Sequence, residues 1–304
     1  MSGSMHVLVT GGGGFIGSHS TEALLADGAR VTVFDNFSTG KRDNLPSHER
    51  LTVIEGDIRD RATVGDAMKG VTHVLHLAAQ ISVRLSIEDP PNSCSHNVLG
   101  FVNVLDAARA RGIRRVAFAS TAAVYGVPAR LPLDEESPLA PISPYGLEKR
   151  IDELYGALYG ELYGLDTFAL RYFNVYGPRQ DPTSQYAGVI SKFASQLRQG
   201  KPLTVFGDGG QSRDFVYVKD VARCNVAALR GEFRGVCNVG TGRSSTLLEL
   251  IAALVAHTGV RPEVNFAAAV NGDIRESAMV PGRLRSLLGF VPQTTLAEGL
   301  ATFV

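Results

Sequence analysis

The sequence predicts an α/β fold: a doubly wound parallel sheet with a smaller, partly interleaved C-terminal lobe. Three observations predict it. Apolar runs alternate with helix-like segments from Met5 to about Arg171, a glycine-rich turn directly follows the first run, and after Tyr172 the rhythm loosens into loops rich in Gly, Pro and Asp. The runs are His6-Val7-Leu8-Val9, Arg30 to Phe34, Leu51 to Ile54, Val74 to Leu77, Val116 to Ala119 and Thr167 to Leu170. Strands covered by helices on both faces must be apolar along their whole length, and ligands of such sheets sit at the carboxyl ends of the strands. The later part carries turn signals such as Tyr176-Gly177-Pro178-Arg179 and Phe206-Gly207-Asp208-Gly209-Gly210. The strand-like Val236-Cys237-Asn238-Val239-Gly240 can rejoin the first sheet. The expected organisation is therefore a first unit over residues 5–171, joined by about 214–242, and a second lobe over 172–304.

Composition narrows the class of function. Of 304 residues, 44% are hydrophobic and 20% charged, an ordinary globular balance. Thirty basic residues offset thirty acidic ones, so nothing in the net charge points to nucleic acid or an acidic membrane surface. Cys94, Cys224 and Cys237 form no CxxC pair and are odd in number, which suits reduced, buried thiols in the cytoplasm. Met1-Ser2-Gly3-Ser4 looks like a remnant of cloning, and the apolar run after it is too short for a signal peptide or membrane span. A soluble cytoplasmic protein is expected.

The glycine turn is Thr10-Gly11-Gly12-Gly13-Gly14-Phe15-Ile16-Gly17, with a helix-like run after it. Glycines remove Cβ atoms where backbone must approach a pyrophosphate, and the free N–H groups and dipole of the helix start favour phosphate. The spacing is GxxGxxG, and no lysine follows, so a P-loop is excluded. The second strand ends in Phe34-Asp35, eighteen residues beyond Gly17. A carboxylate there accepts hydrogen bonds from an adenosine ribose and repels a 2′-phosphate, so NAD is expected over NADP, with Lys41 and Arg42 nearby as the opposing influence.

Tyr145-Gly146-Leu147-Glu148-Lys149 opens a helical stretch after Pro144, so Tyr145 and Lys149 share a face one turn apart. To act as a base near neutrality, tyrosine must fall from about 10 by roughly three pH units, about 4 kcal/mol of differential stabilisation. A neighbouring ammonium and a cationic nicotinamide ring supply part of it. The fifth strand ends in Ser120-Thr121-Ala122-Ala123-Val124-Tyr125-Gly126, which brings the Thr121 hydroxyl to the same sheet edge, able to donate to a substrate oxygen and relay its proton to Tyr145. YxxxK alone is weak; together with the glycine turn and this hydroxyl it is specific.

These segments, with Gly56-Asp57-Ile58, Leu77-Ala78-Ala79 and Asn97-Val98-Leu99-Gly100, resemble the extended short-chain dehydrogenase/reductase family of Rossmann-type enzymes, in particular its UDP-hexose 4-epimerases, over essentially the whole chain from Met5. The resemblance implies a tightly held NAD. Its expected contacts are the Gly11, Gly14, Phe15, Ile16 and Gly17 turn, Asp35 and Asn36 at the ribose, Asp57 and Ile58 at the adenine, and Leu77, Ala78 and Ala79 along the dinucleotide. Asn97, Tyr145, Lys149 and Tyr172 are expected at the nicotinamide end. It further implies a UDP-sugar substrate: Phe173 and Asn174 near the diphosphate, Thr204-Val205-Phe206 along the uracil, and Arg213 as a phosphate-binding guanidinium. A homodimer is implied as well, through a four-helix bundle of helices around 98–110 and 148–162.

Ala122 and Ala123 decide among reactions. Relatives that eliminate water or carbon dioxide carry acidic residues there, and 3,5-epimerases carry a cysteine; this chain has neither. What remains is oxidation and re-reduction at C4, with Thr121, Tyr145 and Lys149 as the catalytic set and a 4-keto sugar that turns over between the two steps. In Gly272-Asp273-Ile274-Arg275-Glu276-Ser277 the last residue resembles the one bordering the C2 substituent, with Asp273 also at the substrate; a small Ser277 admits an N-acetyl group, which favours UDP-N-acetylglucosamine with some activity on plain hexoses. Val270 stands where relatives often have a second phosphate-binding arginine, shifting weight to Arg213 or Arg275. The rival readings are a 4-epimerase of UDP-glucuronate or another nucleotide sugar, and a non-catalytic NAD-binding regulator. No metal spacing occurs among the seven histidines, and His73 and His76 read as strand residues. Asn36-Phe37-Ser38 fits a glycosylation sequon by chance.

Overall fold

Each apolar run of the first half becomes a strand because helices cover it from both sides, leaving Val7, Leu8, Val9, Val31, Val33, Val74 and Leu75 without exposed surface. The computed structural model describes residues 5–182, 188–269 and 274–304. In chain order the first unit runs β1 (His6–Thr10), α1 (Phe15–Ala26), β2 (Arg30–Asp35), β3 (Leu51–Glu55), α2 (Arg61–Ala67), β4 (His73–His76), α3 (Val83–Glu88) and α4 (Pro90–Cys94). A π-helical turn (Ser95–Leu99) leads into α5 (Gly100–Ala110), followed by β5 (Arg115–Thr121), α6 (Pro144–Tyr163) and β6 (Asp166–Tyr172).

The rest comprises β7 (Asn174–Tyr176), α7 (Val189–Arg198), β8 (Leu203–Phe206), β9 (Ser212–Arg213), β10 (Phe215–Tyr217), α8 (Val218–Arg230) and β11 (Gly235–Val239). It continues with β12 (Ser245–Thr246), α9 (Leu247–Thr258), β13 (Val264–Ala267), α10 (Gly282–Leu288) and α11 (Leu296–Leu300). No helix among the described residues is long and apolar enough to cross a membrane.

The main sheet has seven strands in the order β11-β6-β5-β4-β1-β2-β3. All its pairings are parallel. The strand order reverses between β1 and β4, and a crevice opens at their carboxyl ends for that topological reason. The last strand comes from far along the chain: Gly235 pairs with Phe168, and Val239 with Tyr172. One face of the sheet packs with Leu24, Leu25, Val221 and Leu229 of α1 and α8, the other with Val64, Phe101, Val104 and Leu105 of α2 and α5. Beyond β6, three two-stranded sheets (β7 with β10, β9 with β12, β8 with β13) surround a separate cluster that includes Phe193, Leu203, Val205, Leu250 and Leu254. The thiols divide: Cys224 and Cys237 are buried, whereas Cys94 at the end of α4 is exposed, against the expectation for it.

Helix α6 has a full set of end signals. Ser143 caps it by accepting the Gly146 N–H at 3.1 Å, Pro144 occupies the first turn, and Gly164 closes it in the left-handed region at φ 67°.

Candidate active site

A cavity of about 370 Å³ lies at the carboxyl ends of the central strands, bordered by the β1 turn, the end of β2, Leu77 to Ala79 after β4, Ser120 and Thr121 of β5, and Tyr172 and Phe173 after β6. Its fit to a dinucleotide can be tested on the glycines. Gly11 has φ +70°, and a Cβ there would lie 2.7 Å from the Ala78 nitrogen; one on Gly17 would lie 2.0 Å from the Gly11 carbonyl. Only glycine lets β1, β4 and the start of α1 approach so closely. Gly14 caps α1 without any side chain bonded to the helix end, and no acidic residue stands in its first turn, so its first N–H groups and dipole face the cavity without an internal anion. The residues present therefore fit a pyrophosphate bridge. Asp35 borders the cavity; its carboxylate accepts the Gly13 and Phe37 N–H groups, both at 2.8 Å. Arg42, the candidate partner for a 2′-phosphate, stacks 4.4 Å over Phe37 and pairs with Glu55 at 2.5 Å, which favours NAD.

At the other end of the cavity Thr121, Tyr145 and Lys149 come together. The Thr121 hydroxyl, which lowers the pKa of the Tyr145 phenol, borders the same cavity, and Thr121 Oγ1 accepts the Ala123 N–H at 3.2 Å. Lys149 is 2% exposed, with Nζ 3.0 Å from the carboxylate of wholly buried Asp152. Burial favours its neutral form, but Asp152 and Tyr145 outweigh that and hold the ammonium charged. Burial also pushes the Tyr145 phenol above its ordinary value, although Lys149 and Thr121 pull it down. Lys149 lowers the tyrosine pKa as the one-turn spacing suggests, and desolvation, the larger influence, opposes it. His76 stands nearby with its ring bonded to Thr10 at 2.8 Å, and burial, then the Lys149 charge, drive its pKa down to about 3, so it stays neutral.

Several supporting groups have no sequence signature. The amide of Tyr145 donates to Ser86 Oγ at 3.1 Å, satisfying an orphan N–H of the first turn of α6 from a residue 59 positions away. Ser38, Thr39 and Gly40 border the cavity beside the glycine turn, and His96 and Gln180 border it elsewhere. Small polar residues soon after Asp35 were the only hint for the first three.

Other candidates lie off the cavity. Asn97 is wholly buried and holds Gln80, accepting its N–H at 2.8 Å and donating to its carbonyl at 2.9 Å. It supports the loop after β4 and does not border the cavity. Asp57 is gripped by Arg59, with Nε at 2.9 Å and Nη2 at 2.7 Å, and by Asn36, while its neighbours Gly56 and Ile58 form the cavity wall. The Arg59 hydrogen bond, outweighing partial burial, holds this carboxyl well below the usual range.

Beyond β6, Asn174 donates to the Asp214 carbonyl at 3.4 Å, and Arg213 Nη1 donates to the Ser212 carbonyl at 2.9 Å. Ser277 is 8% exposed, its N–H donated to Ser212 at 3.1 Å, next to Arg213. Along β8 the side chains of Thr204 and Phe206 are exposed, whereas Val205 is core. Arg275, the alternative phosphate contact, forks the Asp208 carboxylate at 3.0 and 2.8 Å. Asp273 and Val270 lie outside the described residues.

Comparison with known proteins agrees with this geometry. Residues 7–240 match the NAD dependent epimerase/dehydratase family. A UDP-glucose 4-epimerase of Mycolicibacterium smegmatis is 41% identical over 99% of this chain and 97% of its own. A UDP-N-acetylglucosamine 4-epimerase from Methanobrevibacter ruminantium, solved in complex with UDP-N-acetylmuramic acid, superposes with a TM-score of 0.94 at 39% identity, covering 99% of this chain and 98% of that one. A UDP-glucose 4-epimerase from Thermotoga maritima with UDP-glucose gives 0.94 at 37% identity, covering 98% and 97%.

Proposed function

We propose, from the premise that this chain belongs to the NAD dependent epimerase/dehydratase family and is an NAD-using isomerase acting at C4 of UDP-sugars, that its preferred reaction interconverts UDP-N-acetylglucosamine and UDP-N-acetylgalactosamine. Plain UDP-hexoses turn over more slowly. The observation that carries the chemistry is the meeting of Thr121, Tyr145 and Lys149 on one cavity, followed by two alanines and no acid at 122–123.

The glycine turn, Phe15, Ile16, Asp35, Ile58 and Leu77 to Ala79 would hold the cofactor, with Tyr172 and Lys149 at its nicotinamide end. NAD, when bound, accepts the C4 hydride and returns it. Tyr145 takes the proton of the 4-hydroxyl, directly or through Thr121, and gives it back to the 4-keto oxygen when the sugar has turned its other face. Thr121 donates a hydrogen bond to that oxygen. Lys149, held charged by Asp152, favours the phenolate while the proton is away. Asn174 and Arg213 hold the diphosphate so that the sugar rotates while the nucleotide stays anchored.

The preference for the N-acetylated sugar rests on Ser277, small and set beside Arg213 through Ser212. Ser277→Tyr is expected to cut kcat/KM for UDP-N-acetylglucosamine by about 5- to 150-fold, since an overfilled pocket costs about 1–3 kcal/mol, while UDP-glucose changes little. A wild-type enzyme that epimerises UDP-glucose and leaves UDP-N-acetylglucosamine untouched sinks the reading.

The same reading assigns residues 5–171 with about 214–242 to the cofactor, residues 172–304 to the sugar nucleotide, and a cytoplasmic place to the protein. It also makes the chain a homodimer through α5 and α6. Leu147, Leu154, Leu158 and Leu162 of α6 are 45–61% exposed at near-helical repeat, an apolar stripe that water disfavours. Light scattering should return twice the mass of one chain, and Leu154→Glu with Leu158→Glu should return one.

A further inference from the structure

Three stretches of chain at the border of the main sheet and the lobe beyond it meet at one carboxylate. Phe173, just past β6, still pairs with the sheet: its N–H donates to the Val239 carbonyl of β11 at 3.0 Å. The next residue has changed partners. The N–H of Asn174 donates to the Asp214 carbonyl at 3.1 Å, and its side-chain amide donates to the same oxygen at 3.4 Å. Asp214 lies between β9 and β10, directly after Arg213, and its side chain turns back toward the sheet. Its Oδ1 accepts the Thr241 N–H at 2.8 Å and the Thr241 hydroxyl at 2.7 Å, and its Oδ2 accepts the Gly242 N–H at 2.8 Å, all from the loop that leaves β11. The main chain of Asp214 thus holds Asn174, its side chain holds the end of the sheet, and its peptide neighbour is Arg213.

The residue type follows from the donors. Asp214 is wholly buried, and burial raises its pKa against the pull of Thr241 and Gly242. Taking a carboxylate out of water is costly. Three converging donors, however, call for a group that only accepts and has two oxygens to do it with. An asparagine of the same size would set its NH₂ against one of those donors whichever way it turned.

Arg213 and Asn174 are the two groups proposed to hold the diphosphate, and Asn174 stands between Phe173 and Val175 of the cavity wall. We infer that Asp214 is a positioning residue that fixes this diphosphate grip to the end of the main sheet, so that nucleotide and nicotinamide keep one spacing while the sugar turns between them. The inference rests on the UDP-sugar reading and is independent of which sugar is preferred. Its consequence is retention. Between the two hydride steps the sugar is a ketone held only through its nucleotide, and the hydride it gave up is on the cofactor. A grip that slips lets the ketone leave, and the hydride stays behind on the cofactor with no acceptor.

Asp214→Asn tests this in the purified holoenzyme. Calorimetric titration with UDP should give a dissociation constant about tenfold above that of the wild type, the worth of one charge-assisted hydrogen bond, with the NAD content unchanged. During turnover of a UDP-sugar that the wild type epimerises, the variant should also accumulate reduced cofactor, seen as a growing near-ultraviolet absorbance that the wild type lacks. A merely structural role would lower the unfolding temperature and move neither readout. Unchanged affinity for UDP overturns the inference, and so does weakened affinity with no reduced cofactor, or a loss of NAD together with UDP. Should Asp214→Asn fail to fold, Thr241→Val decides, since it removes the hydroxyl's bond and keeps both N–H bonds. Binding of UDP weakened about threefold with full NAD content supports the positioning role, and wild-type affinity refutes it. A wild-type protein that binds no UDP sinks the proposed substrate and this inference with it, a result distinct from equal binding by wild type and variants.

Discussion

Tyr145→Phe is expected to lower kcat by about 10²- to 10⁴-fold, the usual worth of a positioned acid/base group, with little change in the affinity for UDP. The phenyl ring keeps its place. The Tyr145 amide is held by Ser86 and the helix start by Ser143, and neither contact involves the phenol. What disappears is the phenol that borders the cavity with Thr121 and Lys149. The pH profile is the sharper readout. Burial holds the phenol above its ordinary value in the free protein, so it is protonated near neutrality and the base form grows as pH rises. The wild-type kcat should therefore climb on the acid limb of its profile, and the residual rate of the variant should lose that climb. A phenylalanine variant that turns over normally removes Tyr145 from the mechanism.

Arg171→Met is expected to lower the free energy of unfolding by about 3–5 kcal/mol, the cost of leaving one member of a buried ion pair alone. Arg171 is 1% exposed; Nε and Nη2 reach Glu153 at 2.7 and 2.8 Å, and Nη1 reaches the Tyr125 hydroxyl at 2.8 Å. Ser120 adds a hydrogen bond to the same carboxylate at 2.7 Å. The cluster ties α6 to β5 and β6, and Glu153 follows Tyr145 and Lys149 at steps of four, so the face of α6 that carries the catalytic pair is pinned to the sheet by it. Denaturant titration of Arg171→Met, Glu153→Leu and the double variant measures the coupling, and the double should be less destabilised than the sum of the singles. The sign with pH follows from Glu153. Burial raises its pKa, but Arg171, Ser120 and Arg150 together hold it below the ordinary value. The pair's contribution is thus present above the usual carboxylate range and fades as pH falls through the lowered value.

The main sheet could be read in advance because parallel strands buried on both faces must be apolar throughout, a signal carried within each segment. The same holds for the glycine turn, where steric need dictates the residue at Gly11 and Gly17, and for the ends of α6. Asp35 and the Thr121, Tyr145 and Lys149 set were legible since each sits where a strand or helix end is marked by its own neighbours.

What escaped reading depends on contacts between distant segments. Ser86 resembles any helix serine until α3 is seen against the start of α6. The bracing of the loop after β4 by Asn97 likewise joins distant segments, and the π-helical turn that carries it leaves no trace in composition. The pull of Lys149 on the Tyr145 phenol is a pairwise effect and is legible in the spacing. In the folded protein the desolvation of the phenol, a property of everything around it, is larger.

The strand β11 also bears on how this protein is made. Leaving the sheet at β6 and returning at Gly235, the chain places an edge of its largest sheet beyond most of the elements that follow Tyr172. During synthesis at about 5–20 residues per second, β6 waits several seconds for its neighbour. Until then it presents an unpaired row of backbone groups of the sort that recruits foreign strands. Nascent chains arrested before β11 should accordingly bind chaperones and aggregate, and a clone ending at Tyr172, despite holding the whole glycine turn and the Tyr145 helix, should be insoluble.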